Sequence, residues 1–137
     1  MKLDHPREKK PNHALQVYRM MQLFPQFKCS GKSGSYIFEG LLKPKETSRE
    51  YTIRIIHTPS NAPKTFVIQP ELHNNPKHTY SSDGSLCLYK PSDFRWNNNL
   101  LIADYIVPWT CAWLYFYEQW LETRIWYGPE ASHEGEK

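Results

Sequence analysis

SYIFEGLLKPKETSREYTIRII, residues 35–56, sets the fold class. Two β-rich runs, "SYIFEGLL" and "REYTIRII", flank the polar "KPKETS". In the second run Tyr51, Ile53 and Ile55 alternate with Thr52 and Arg54, the period-two pattern of a strand with one wet face. The pair is therefore expected to form an antiparallel hairpin with a loose turn. Downstream, beyond the proline-rich "HTPSNAP", "KTFVIQP" supplies another short strand, and Pro70 ends it because proline cannot donate to a central ladder. Upstream, Asn12 is placed to cap a helix carrying Ala14, Val17, Met21 and Phe24 at spacings of three and four, closed by Pro25. Residues 1–11 are charged and broken by Pro6 and Pro11, which predicts a flexible N-terminal segment. The order is one helix followed by an antiparallel meander: an α+β protein.

Residues 71–98 follow neither helical nor strand periodicity, and an irregular stretch of that length is uncommon in a compact domain unless it has a function. It holds Leu72, Tyr80, Leu86, Leu88, Tyr89, Phe94 and Trp96, enough apolar surface to pin it to the body of the protein. From Asn99 the pattern turns helical, with Leu100, Leu101, Ala103, Tyr105 and Ile106, and Pro108 is expected to interrupt it or restart it as a first-turn proline. Trp109, Ala112, Trp113, Phe116, Tyr117 and Trp120 then form a wide stripe, so more than one C-terminal helix is predicted. An aromatic stripe at helical spacing is ordinarily core. Gly128 and Pro129 are stop signals, and residues 128–137 read as a flexible C-terminal tail.

With 137 residues, 39% of them hydrophobic, the chain supports one core, and residues 12–127 are read as one domain. Seventeen basic and 14 acidic residues give a net charge of +3 with no concentrated basic block beyond "REKK", which argues for neither nucleic acid nor a membrane surface as partner. The longest apolar run, Tyr105 to Tyr117, spans 13 residues, contains Pro108 and falls short of the roughly 20 needed to cross a bilayer. Three cysteines are an odd count, and no hydrophobic stretch follows the charged opening "MKLDHPREKKPNH"; a reducing, cytoplasmic setting is expected.

The chemistry concentrates in "HTYSSDGSLCLYKPSDFRW", residues 78–96. Cys87, between Leu86 and Leu88, has two readings: a small buried hydrophobe, or a reactive thiol held at the surface. Asp83-Gly84 has turn chemistry, and exposed amides in a turned segment together with His78 would favour the thiolate, whose parent thiol has a pKa of about 8.5. Cys29, at a helix-to-strand junction, and Cys111, on a helix, have no turn or histidine nearby and read as packing residues. His73, His78 and Cys87 lack the paired spacing of a zinc site, so neither metal nor cofactor is expected.

The order of helix, meander, proline-rich link, His78-Thr79-Tyr80, Asp83-Gly84, "LCL", Trp96 and a helical C-terminus resembles the ubiquitin-conjugating enzymes. It is most similar to their prokaryotic relatives of CBASS-type anti-phage defence operons, above all at "DGSLCLY" and "IVPWTCAWLYFYEQWLETRIWYG". The resemblance covers residues 12 to about 127. It implies a ubiquitin-conjugating-type fold with a four-stranded antiparallel sheet. It further implies that Cys87 accepts, as a thioester, the C-terminal glycine of a ubiquitin-like protein or of a cyclic-nucleotide synthase (CD-NTase) and passes it to a target lysine. The chain has no room for an adenylating domain, so activation would come from a separate enzyme or a preformed donor. His78 is assigned to loop orientation or proton transfer, with structural packing as the competing reading. Tyr80, Asp83, Tyr89 and Trp96 are assigned to substrate binding, Tyr89 and Trp96 as walls of the Cys87 loop that contact the incoming tail and Asp83 as acceptor for the incoming amine, with a plain turn role competing. The usual His-Pro-Asn asparagine is missing. An oxyanion donor would be His78 itself, a backbone amide, or one of Asn74, Asn75, Asn97 and Asn98. The second functional reading is a non-catalytic module of the same fold that binds a ubiquitin-like partner.

Overall fold

A computed structural model describes residues 12–32, 34–73 and 78–129. The two expected flexible ends lie outside the described residues, apart from residues 128 and 129. Helix α1 spans His13–Leu23, and Asn12 caps it as expected: its backbone is extended at φ −88° and its side chain accepts from the Leu15 amide at 3.0 Å. Four strands follow, β1 (Lys28–Lys32), β2 (Ser35–Leu42), β3 (Tyr51–His57) and β4 (Lys64–Gln69), paired antiparallel in the order β1-β2-β3-β4. The hairpin read from residues 35–56 is β2 and β3, in register from Tyr36↔His57 to Leu42↔Tyr51. The short strand expected at "KTFVIQP" is β4, paired to β3.

Strand β1 has no signature in its own residues. "KCSGK" shows no apolar alternation, yet it pairs with β2 from Lys28↔Glu39 to Lys32↔Ser35, so Cys29 lies on a strand and not at a junction before one. The neighbour creates the strand. Gly40 on β2 permits a close approach beside it, for a Cβ there would meet the Phe27 ring at 2.7 Å.

Tyr51, Ile53, Ile55 and His57 alternate inward along β3 and join Tyr36, Phe38 and Leu42 of β2 on the covered face of the sheet. Met20 and Gln16 of α1 complete the core with the inner face of helix α2, Ile102–Thr123. Each fully buried isoleucine there contributes on the order of 1.5–3 kcal/mol. The tryptophan stripe is core as expected: Trp113 and Trp120 are buried, and Trp109 packs on Tyr89 and Phe94.

The C-terminal region departs from the expectation of several helices. One helix of 22 residues runs through Pro108, beginning at Ile102 and not near Asn99. Proline removes one backbone hydrogen bond, but Ile102, Ala103, Ile106 and Val107 before it and Thr110, Trp113 and Leu114 after it are all buried on the same core, which offsets that loss. Leu101 caps the helix without a side-chain bond. Gln16 does so from α1: its Oε1 accepts from the Ile102 amide at 2.9 Å, and its Nε2 donates to the Leu100 carbonyl at 2.9 Å. The helix ends at Arg124, in the left-handed region at φ 65°, whose amide donates to the Trp120 carbonyl. Among the described residues no helix is long and apolar enough to cross a membrane.

Candidate active site: a buried cysteine beside an aromatic groove

After β4 the chain is tied down at several points. The His73 amide donates to the Tyr117 hydroxyl at 2.7 Å. His78 adopts a left-handed conformation, φ 68°, and its carbonyl accepts twice: from the Cys87 amide at 2.8 Å and from Trp113 Nε1 at 3.1 Å. Thr79 bridges Leu86 in antiparallel fashion, and the Tyr80 amide donates to the Ser85 carbonyl. A tight turn at Asp83-Gly84 closes this tongue, with Gly84 at φ +80°, as the dipeptide predicts. The Leu86 amide donates to the Thr65 carbonyl of β4 at 2.9 Å, so the tongue is fastened to the sheet on one side and to α2 on the other.

Asp83 serves the turn. Its carboxylate accepts from the Ser85 amide at 2.9 Å, the Ser85 hydroxyl at 2.7 Å and Lys64 Nζ at 2.9 Å. Desolvation pushes its pKa up, but the bonds from Ser85 and Lys64 outweigh it and hold the group at about 2, below the 3.8 of a free aspartate. A depressed carboxyl stabilises the fold above its unfolded value and loses that contribution as pH falls. We therefore expect part of the acid lability to develop between pH 3.8 and about 2. Acid unfolding of Asp83→Asn, followed by circular dichroism, should lack that component.

Cys87 does not stand at the surface. It is 5% exposed, the most buried of the three cysteines, because Ser85 and Leu86 beside it are also buried and its amide is paired inward to His78. This corrects the expectation of an exposed thiol. His78 is 3% exposed, with its ring 4.4 Å from that of Trp126. Cys29 and Cys111 are half-buried, and burial pushes both thiols up from their ordinary value.

A groove of about 530 Å³ adjoins the tongue. Tyr80, Asp83, Tyr89 and Trp96 all line it, with Leu86, Leu88, Lys64 and Arg95, so the four residues assigned to substrate binding share one surface. Cys87 and His78 do not line it. Cys87 nevertheless lies between two residues that do, Leu86 and Leu88. Asn97 Oδ1 accepts from the Asn99 amide, a bond that does not use its Nδ2 donor, whereas Asn98 donates to the Pro59 carbonyl at 3.4 Å and bonds His57. The Cys87 amide is likewise committed to His78; Asn74 and Asn75 lie outside the described residues. Sequence reading missed Lys64, which pins the turn, and Trp113 and Trp126, which grip His78. Trp113 was visible only as a member of the core stripe. Among the described residues no group of three or more His, Cys, Asp or Glu side chains is gathered as metal ligands would be.

A comparison with curated proteins found no match. The family model for the Type II CBASS E2 protein matches residues 16–134, a span that includes the sheet, the tongue with Cys87, the groove and α2. The chain therefore belongs to that family and is an E2-like protein of CBASS anti-phage operons.

Proposed function

We propose that this chain, with residues 12–127 as its working unit in a ubiquitin-conjugating-type fold, is the thioester-forming transferase of its defence system. The donor is the C-terminal tail of a ubiquitin-like protein or of a cyclic-nucleotide synthase, activated by a separate enzyme. Its last residues lie along the groove at Tyr80, Tyr89 and Trp96. Cys87 Sγ attacks the activated carbonyl carbon of the terminal glycine; the new C–S bond forms as the bond to the activating group breaks. A target lysine amine then attacks that thioester, forming an amide, and the thiolate leaves. Splitting one acyl transfer into two steps keeps the acyl group activated between them.

Membership of an E2 family supports conjugating chemistry in general. The single observation that carries the reading to Cys87 is its position: it lies between two groove-lining leucines, on a tongue held from both sides. As a residue Cys87 is 5% exposed, so little of it meets solvent in this arrangement. That burial, and the absence of Cys87 from the groove lining, favour the second reading, a binding module that holds the tail without reacting with it.

The deciding experiment mixes the chain with its activating partner and candidate donors and resolves the products on a non-reducing gel. A thiol-sensitive adduct supports transfer; stable but wholly non-covalent complex formation supports the module. Native alkylation by iodoacetamide gives an independent prediction. Under the transfer reading Cys87 reacts ahead of Cys29 and Cys111 despite its burial, because thiolate character governs the rate. If Cys87 is modified last, the transfer reading loses its chemical basis.

A further inference from the structure

A histidine with φ of 68° is not at rest by itself: apart from glycine, residues enter the left-handed region at a cost and stay there only when their surroundings over-determine them. At His78 the restraints are visible. Its carbonyl receives the Cys87 amide at 2.8 Å and the Trp113 indole N–H at 3.1 Å, which engages both lone pairs. Its ring lies against Trp126, which in turn packs 5.5 Å from the Trp113 ring. Trp113 is buried on α2, one turn before Tyr117, whose hydroxyl holds the His73 amide. If His78 relaxed to negative φ, its carbonyl would swing away from Cys87, and the amide that fixes the cysteine backbone would lose its acceptor.

We infer that Trp113 is a positioning residue for Cys87, acting through the His78 carbonyl to hold the cysteine backbone and hence the aim of its Cα–Cβ bond. The inference rests on Cys87 being the nucleophile. It assigns weight to an indole N–H whose hydrogen bond goes to the His78 carbonyl. Small misplacements of a nucleophile are costly in rate, and the remedy here is a side chain on a rigid helix, not on a loop.

The test replaces Trp113 by Phe in the full chain, removing the N–H while keeping an aromatic ring. The expected result has three parts. The maximal rate of thioester formation falls roughly tenfold. The donor concentration at half-maximal rate stays put, because the groove lining is untouched. Iodoacetamide labelling of Cys87, followed by peptide mapping, rises severalfold while that of Cys29 and Cys111 is unchanged. General destabilisation would raise all three. A folded Trp113→Phe chain with wild-type thioester rate and wild-type Cys87 labelling overturns the inference. Should that variant not fold, 3-benzothienylalanine at position 113 keeps the ring system and lacks the donor, and the same readouts apply. If the wild-type chain itself forms no thioester, it is the transfer reading that fails; the labelling contrast still decides whether Trp113 holds Cys87.

Discussion

Replacing Cys87 by serine is expected to convert the thiol-sensitive adduct into one that survives reductant, and replacing it by alanine to abolish the adduct. The serine oxygen occupies the same place but is a far weaker nucleophile at neutral pH, so whatever adduct accumulates is an oxygen ester that thiols exchange slowly. Removing a nucleophile outright costs on the order of 10³-fold or more, since what remains is only binding and oriented dipoles. Both variants should keep the fold, because the tongue is held by main-chain bonds: the amide of residue 87 to His78, that of Leu86 to Thr65, and that of Tyr80 to Ser85. Intact-mass analysis of the reaction with and without reductant reads the outcome. A reductant-sensitive adduct persisting in Cys87→Ala would move the chemistry to Cys29 or Cys111 and end the assignment.

Gln16→Leu should be the most damaging substitution for stability among those without a part in the chemistry. Gln16 is 1% exposed and serves both the Ile102 amide and the Leu100 carbonyl. Leucine fills a similar volume but leaves both groups without this partner, and each buried unsatisfied group costs about 1–3 kcal/mol. A loss of roughly 2–4 kcal/mol follows, or a fall of about 10 °C in Tm for a chain of this size. Thermal unfolding by calorimetry checks it, with Gln16→Glu as companion: its carboxylate can accept from Ile102 but cannot donate to Leu100. If Gln16→Leu melts within 2 °C or so of wild type, the tertiary cap contributes little.

What local pattern reveals, and what it hides, divides along sequence distance. The inward set of β3 and the Asn12 cap were legible because each is decided within a few neighbouring residues. So was the Asp83-Gly84 turn, where one side chain bonds two residues ahead. Strand β1 was not, since its only reason to be extended is β2 beside it. The unbroken passage of α2 through Pro108 was hidden too, because burial on both sides of the proline outweighs a local rule. At the site, the turned segment and then the resemblance singled out Cys87 and His78, and the groove gathers the four residues assigned with them. The burial of Cys87, however, was not legible, nor was the bond from Trp113 to His78, 35 residues apart, which no window of sequence contains.

The attachment of His73 to Tyr117 and of His78 to Trp113 has a mechanical corollary. The two moorings sit on successive turns of one rod, so the chain enters and leaves residues 74–77 at stations whose separation the rod dictates. Insertions or deletions between those stations need not re-aim the sulfur. The run from the histidine to the cysteine is thereby anchored at its own start, independently of the span that precedes it.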